Sequence, residues 1–210
     1  MNSIKQIEVI YNNRLVGRLA LTREGLCAFE YSAEWLSSGF SISPFELPLR
    51  SGVFIAKPRP FEGGFGVFDD CLPDGWGLLI LDRYLQQKGI NPRTLTLLDR
   101  LALVGSTGRG ALEFRPDNSV VTRQDFADFE KLALEAEKIL ASDDYMGEGI
   151  EEFQDRGGSP GGARPKIFVR YNDKEWLVKF RAKRDSQSIG VDEYRYSLLA
   201  KECGIEMPET

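Results

Sequence analysis

The chain has 210 residues, of which 42% are hydrophobic and 28% charged, so it is too apolar for a disordered chain and typical of a globular protein. At roughly 150 residues per domain, this length predicts one large domain or two small ones. A net charge of −5 argues against wrapping of nucleic acid, and no run approaches the ~20 apolar residues of a membrane span. Because a secretory signal is absent and the three cysteines are widely spaced, we expect a cytoplasmic protein without disulfides.

The sequence contains no histidine. This excludes Ser-His-Asp and Cys-His triads, histidine-ligated metals and imidazole general bases. Any chemistry must therefore use lysine, carboxylates, hydroxyls or backbone amides.

The first 60 residues have the pattern of a small antiparallel sheet. Apolar and polar residues alternate over residues 4–21 around Asn12-Asn13, which predicts a hairpin with a tight turn. A third strand is predicted at Leu26–Tyr31. Residues 32–60 are rich in Ser, Pro and Gly, which predicts irregular structure with short strands.

Helical spacing begins after Leu72-Pro73-Asp74-Gly75. A first helix is predicted from about Trp76 to Tyr84, with Gly89 at its C′ position. The next predicted elements are, in order, a helix over Pro92–Leu103, a glycine loop at Gly105–Gly110 and a short strand at Ala111–Phe114. A helix over about Thr122–Leu140 follows them.

A boundary near residues 116–122 divides the chain into predicted domains 1–118 and 119–210. Residues 142–160 carry few apolar side chains and are expected to be mobile. A second hairpin is predicted from Lys166 to Phe180 around Asn172-Asp173, followed by a helix over about Val191–Cys203 that Gly204 ends.

One glycine-rich segment stands immediately before the second hairpin: Gly157-Gly158-Ser159-Pro160-Gly161-Gly162-Ala163-Arg164-Pro165-Lys166. Glycines let a backbone approach phosphate closely, and successive N–H groups form an anion-binding nest. The alternative is a flexible linker or a plain entry into the hairpin. The segment is not a Walker A loop, because the Gly-Lys-Ser/Thr ending is missing.

Two charged residues follow this loop in the order found in kinases. Lys179 lies near the end of the second hairpin, and Glu193 opens the next helix 14 residues later. Kinases hold the α- and β-phosphates of ATP with a strand lysine that a helix glutamate orients. The alternatives are a snorkelling surface lysine and a helix N-terminal carboxylate, but the order of loop, lysine and glutamate favours nucleotide binding.

Other charged or glycine-rich features favour structural roles. Asp69, Asp70 and Asp74 could form a carboxylate or metal site, but they flank a helix start, where helix capping is the favoured interpretation. Gly105–Gly110 with Arg109 could bind an anion; a structural turn between helix and strand is favoured.

Four segments together resemble the HipA family of bacterial serine/threonine kinases, the toxins of toxin–antitoxin modules. They are the glycine-rich segment above, Phe68-Asp69-Asp70-Cys71-Leu72-Pro73-Asp74-Gly75, Leu103-Val104-Gly105-Ser106-Thr107-Gly108-Arg109-Gly110-Ala111-Leu112, and residues 192–205. The similarity runs from about residue 5 to the end of the sequence.

The resemblance implies an α+β fold, with an N-terminal β-rich subdomain with helices followed by a kinase-like N-lobe and a large helical C-lobe. It also implies ATP and Mg²⁺, and a HipB-like helix-turn-helix antitoxin through which DNA is contacted indirectly. The implied substrate is a protein; in the best-known member it is an aminoacyl-tRNA synthetase.

The resemblance assigns ATP binding to a set of residues in the second half: Gly158, Ser159, Gly161, Gly162, Ala163 and Lys179. Glu193 matches the residue that orients the lysine. Ser159 matches a serine that is autophosphorylated to silence the kinase, although Pro160 departs from some members at the next position.

The family's Asp-Gly-His-type catalytic motif, its downstream Asn and its metal-binding Asp all lie in the C-lobe, and this sequence ends before them. We therefore expect no catalytic or metal-binding residue in the 210 residues, and no kinase activity unless a C-lobe is supplied in cis or in trans. The alternative is a non-catalytic regulatory module that binds a HipA-type kinase or its helix-turn-helix antitoxin.

Overall fold

A computed structural model describes residues 4–119, 127–157 and 162–210. The first part of the chain forms a five-stranded antiparallel sheet in the order β4-β3-β2-β1-β5. Its strands are β1 (Gln6–Tyr11), β2 (Arg14–Leu21), β3 (Cys27–Tyr31), β4 (Val53–Ile55) and β5 (Glu113–Arg115). The first hairpin and the third strand are therefore confirmed. Asn12 and Asn13 take φ angles of 47° and 60°, as a tight hairpin turn requires.

The segment predicted to be irregular contains a short helix, α1 (Ala33–Ser38). The hydroxyl of Ser32 caps this helix by accepting the N–H of Trp35, and the Trp35 side chain is buried in the core of the sheet. The prediction of irregular structure is wrong here because one buried tryptophan gives too little periodicity to reveal a six-residue helix.

Three helical segments follow the sheet's fourth strand. They are α2 (Gly66–Asp69), α3 (Gly75–Gln87) and α4 (Leu97–Val104), with a 3₁₀ turn at Pro92–Thr94 between the last two. The single helix predicted over 92–103 is wrong, because Thr96 and Asp99 form a capping box that starts α4 afresh. Gly89 follows α3 with a φ of 74°, which confirms its predicted role.

The second half contains α5 (Phe129–Ala141), α6 (Gly149–Gly157), the hairpin of β6 (Lys166–Tyr171) and β7 (Lys174–Lys179), and α7 (Ile189–Glu202). Asn172 and Asp173 form the hairpin turn with φ angles of 51° and 58°, as predicted. The third helix is predicted to start near Thr122, but α5 begins at Phe129 after the N-cap Asp128; residues 120–126 lie outside the described residues.

The expectation of a mobile segment over 142–160 is wrong for residues 149–157, which form α6. Ile150 and Phe153 of this helix are fully buried, although its composition is otherwise polar. They join a second hydrophobic core made from α3, α5, α6 and the β6–β7 hairpin. Trp76 and Ile80 of α3 also belong to this core, so α3 connects it to the N-terminal part of the chain.

The fold is α+β, as predicted. No helix in the described ranges combines the length and apolar character that crossing a bilayer requires.

Candidate functional site

Lys179 and Glu193 form an ion pair at one end of the β6–β7 hairpin. The Lys179 Nζ donates to a Glu193 carboxylate oxygen at 2.8 Å, and both side chains are partly exposed. Lys179 is the last residue of β7 and Glu193 lies early in α7, so the hairpin and the helix meet at this contact. The pairing expected from the sequence is present.

A second cation joins the pair. Arg164 donates to the other oxygen of Glu193 at 3.4 Å and to Asp185 at 2.9 Å. Asp185 also accepts the Ala182 N–H, and this hydrogen bond, together with Arg164, lowers the pKa of the Asp185 carboxyl. The two carboxylates thus hold Lys179 and Arg164 side by side at the entrance to the hairpin.

These residues line an open cavity of about 220 Å³. Its remaining lining residues are Phe180, Arg181, Gln187, Ile189 and Gly190. The cavity is smaller than the ~300–1,000 Å³ usual for a small-molecule pocket. Its lining holds three cations, Arg164, Lys179 and Arg181, and two carboxylates, Asp185 and Glu193, so it carries a net positive charge that suits a small anionic group.

The glycine loop of the sequence analysis ends beside this cavity. Gly162 has a φ of 91°, which favours glycine. Its N–H donates to the Asp74 carboxylate at 2.7 Å, and its carbonyl accepts the Trp76 N–H at 3.0 Å. Of the predicted nucleotide-binding residues, Gly162, Ala163 and Lys179 are described, whereas Gly158, Ser159 and Gly161 lie outside the described residues.

Asp74 does not cap α3, contrary to the favoured interpretation of this residue. It occupies the N-cap position, but its side chain makes no capping hydrogen bond and binds Gly162 instead. Sequence reasoning missed this contact, as it missed Arg164 and Asp185. The Pro73-Asp74-Gly75 sequence signals only a turn before a helix, which gives no indication of a partner so distant in the chain.

A buried lysine lies next to the same turn. Lys166 is 8% exposed, and its Nζ is 3.1 Å from the position that a Cβ at Gly162 would take. Burial lowers the pKa of Lys166, and the nearby Asp74 carboxylate opposes this effect. The lysine therefore lies beneath the end of the glycine loop, close to the Asp74 carboxylate.

The other glycine loop, Gly105–Gly110, is a structural turn. The Asp117 carboxylate fills it by accepting the Ser106 N–H at 3.1 Å. Arg109 lies over the Phe168 ring and forms an ion pair with Glu175, so its charge is already matched within the protein. The interpretation as a turn is confirmed.

The described residues fit the phosphates of ATP better than a metal ion. Lys179 and Arg164 would face the phosphates of ATP, whose terminal phosphate is the group that a kinase transfers, whereas the Gly162 N–H is already bound by Asp74. Within residues 4–119, 127–157 and 162–210, no group of three or more His, Cys, Asp and Glu side chains is arranged to hold a metal.

Comparison with protein families decides which family the chain represents. The family model for the HipA N-terminal domain matches residues 7–115, and the model for the HipA-like C-terminal domain matches residues 158–210. The chain belongs to the HipA family. The five-stranded sheet and Asp74 lie in the first HipA match, while Gly162, Lys179 and Glu193 lie in the second. No curated protein matches the chain.

Proposed function

We propose that this HipA-family chain supplies the nucleotide-clamping part of an ATP-dependent protein serine/threonine kinase, the toxin of a toxin–antitoxin module. The observation that carries the proposal is the ion pair of Lys179 and Glu193 at 2.8 Å beside a cationic cavity. A strand lysine held by a helix glutamate is the arrangement with which kinases position ATP phosphates.

The charges around the cavity support phosphate binding. Glu193 contacts Lys179 and Arg164 at once, which keeps two flexible cations in one place. Lys179 remains 48% exposed, so its ammonium group can still donate to a ligand. On the side of the glycine loop, the Asp74 carboxylate binds the Gly162 N–H and lies near the buried Lys166, so the cations that the proposal assigns to the phosphates are Lys179 and Arg164.

The proposal assigns Mg²⁺ ligands and the catalytic base to a helical C-lobe, present in the same polypeptide or in a separate one. The helix α7 is the element that such a lobe would cover, because Ser197 is its one buried residue. Large apolar side chains are exposed around much of this helix, namely Val191, Tyr194, Tyr196, Leu198 and Leu199. Exposed apolar surface of this kind is typical of a protein interface.

The same exposed apolar residues of α7 also favour a second candidate function. A chain that binds a HipA-type kinase or its HipB-like antitoxin without catalysing phosphoryl transfer would need such a surface as well. The two functions differ in what they require of Lys179: the first requires contact with nucleotide phosphates, the second requires none.

The test is covalent labelling with an ATP acyl-phosphate, which traps weak binding. The Nζ of a lysine beside the phosphates attacks the acyl carbon, an amide forms, and ATP leaves. Mass spectrometry then identifies the labelled lysine. We expect Lys179 to be labelled and a large excess of ATP to suppress the labelling.

Lys88 provides a matched control. It is 47% exposed and pairs with Glu151 at 2.6 Å, but it lies outside the cavity. Its labelling should be weaker than that of Lys179 and insensitive to ATP. Equal, ATP-insensitive labelling of the two lysines would overturn the nucleotide role and favour the binding module.

A further inference from the structure

The turn that precedes α3 holds the described end of the glycine loop from both sides. Asp74 accepts the Gly162 N–H at 2.7 Å, and the Trp76 N–H donates to the Gly162 carbonyl at 3.0 Å. Both backbone polar groups of one glycine are thus bound by residues 86 and 88 positions earlier in the chain, in the part that the HipA N-terminal domain model matches.

Gly75 allows this close approach. A Cβ at this position would lie 2.7 Å from the carbonyl carbon and oxygen of Gly162 and 3.0 Å from the Ala163 nitrogen. The φ of Gly75 is 45°, in the left-handed region that glycine adopts without strain. A side chain here would push the two backbones apart.

The turn is firmly anchored on its other side. The Trp76 ring is 2% exposed and packs edge-on against Phe153, with 5.0 Å between the ring centroids. Ile80, one turn further along α3, is buried in the same core. The Trp76 N–H is therefore fixed by a packed side chain, and the exposed Asp74 lies only two residues before this anchor.

We propose that Asp74, Gly75 and Trp76 are positioning residues that fix the Gly162–Ala163 backbone next to Lys166, the residue opposite Lys179 in the β6–β7 hairpin, so that the N-terminal domain sets the affinity of the site for ATP. The inference rests on the proposed function. Its physical basis is preorganisation, because a backbone that is already ordered loses less conformational entropy when it binds phosphate.

The first measurement is hydrogen exchange on the ligand-free 210-residue chain. In Asp74→Ala, the peptide that contains Gly162 should exchange about fivefold to tenfold faster, because its N–H loses a charged acceptor. Asp74→Asn keeps an acceptor oxygen and should restore most of the protection. Asp70→Ala is the matched control, because Asp70 is an exposed carboxylate that lies, like Asp74, in the segment between α2 and α3. Among the described contacts, it makes no hydrogen bond to Gly162.

The second measurement is the ATP concentration that protects Lys179 from the acyl-phosphate. We expect this concentration to rise about fivefold or more in Asp74→Ala and to stay unchanged in Asp70→Ala. Unchanged exchange at Gly162, or faster exchange with unchanged ATP protection, would overturn the positioning role.

The failure of the proposed function would look different. In that case wild-type Lys179 itself would show no ATP-dependent protection, whereas failure of the positioning role requires normal protection in the wild type.

Discussion

The guanidinium of Arg109 lies over the ring of Phe168, with 3.3 Å between its central carbon and the ring centroid. Arg109 follows α4 in the N-terminal part of the chain, and Phe168 lies on β6. The same arginine pairs with Glu175 on β7, so one side chain contacts both strands of the second hairpin. This contact complements that of Asp74 with Gly162, because both connect the two segments matched by HipA models.

We expect Arg109→Ala to destabilise the protein through loss of the contact with Phe168. A double-mutant cycle with Phe168→Leu, measured by urea unfolding, should give a coupling energy of about 0.5–2 kcal/mol. Arg170→Ala is the control, because Arg170 is 65% exposed and its single ion pair has a distance of 3.5 Å. Its effect should stay within about 0.5 kcal/mol. A coupling energy of zero would show that the stacking contributes nothing.

Gly105→Ala should destabilise the turn after α4. Gly105 has a φ of 51°, and a Cβ there would lie 1.8 Å from an Asp117 oxygen. The substitution therefore adds backbone strain and displaces the carboxylate that binds Ser106, at a cost of about 2–3 kcal/mol or more in the free energy of unfolding. Gly89→Ala controls for the strain alone: its φ is 74° and no atom lies within 4 Å of the added Cβ. Thermal unfolding that shows equal losses for the two variants would refute the role of Asp117.

Asp99 should stabilise the fold at neutral pH and lose that effect in acid. Burial alone would raise the pKa of its carboxyl, but hydrogen bonds from Ile4 and Thr96 more than compensate and hold the pKa below its usual value. Since the folded-state pKa is depressed, the stabilisation is complete above the unfolded pKa of about 3.9 and disappears as the pH falls through the folded value.

The corresponding variant is Asp99→Asn. It should lower the free energy of unfolding by about 1–3 kcal/mol at pH 7. Urea unfolding between pH 7 and pH 3 should show the difference from the wild type shrinking below about pH 4. A difference that is independent of pH would mean that the charge of Asp99 is not involved.

The three cysteines should react with an alkylating reagent at very different rates. Cys203 is exposed at the end of α7, whereas Cys27 is buried and Cys71 is partly buried. Burial raises the pKa of Cys27 to about 11, and burial together with the Asp70 charge does the same for Cys71. Mass spectrometry at pH 8 should therefore show one rapidly modified thiol, which Cys203→Ser removes. Two fast thiols in the wild type would contradict the burial of Cys71.

Local signals explain which parts of the fold were predictable. Both hairpins have Asn-Asn or Asn-Asp at the turn, and these residues tolerate the positive φ angles they adopt. The helix α6 was missed because two buried residues, Ile150 and Phe153, stabilise it through tertiary packing rather than through composition. The helix is too short for its two apolar residues to show a clear amphipathic pattern in a polar segment.

In the candidate site, too, the contact between neighbouring elements was predictable and the contact between distant residues was not. Lys179 and Glu193 are 14 residues apart on consecutive elements, and the kinase pattern of glycine loop, strand lysine and helix glutamate predicted their contact. Asp74 and Gly162 are 88 residues apart, and only the packing of α3 against α6 brings them together. No local pattern distinguishes an aspartate that caps its own helix from one that binds a distant backbone.

The position of α3 has a consequence for any attempt to divide the protein. A cut at residue 118, the predicted domain boundary, would leave α3 in the first fragment. Trp76 and Ile80 would then lose the residues of the second half that bury them in the second core. That fragment would expose a new apolar surface and tend to aggregate, while the other would lose part of its core. Two such pieces made as separate polypeptides would need to be produced together, each acting as the folding partner of the other.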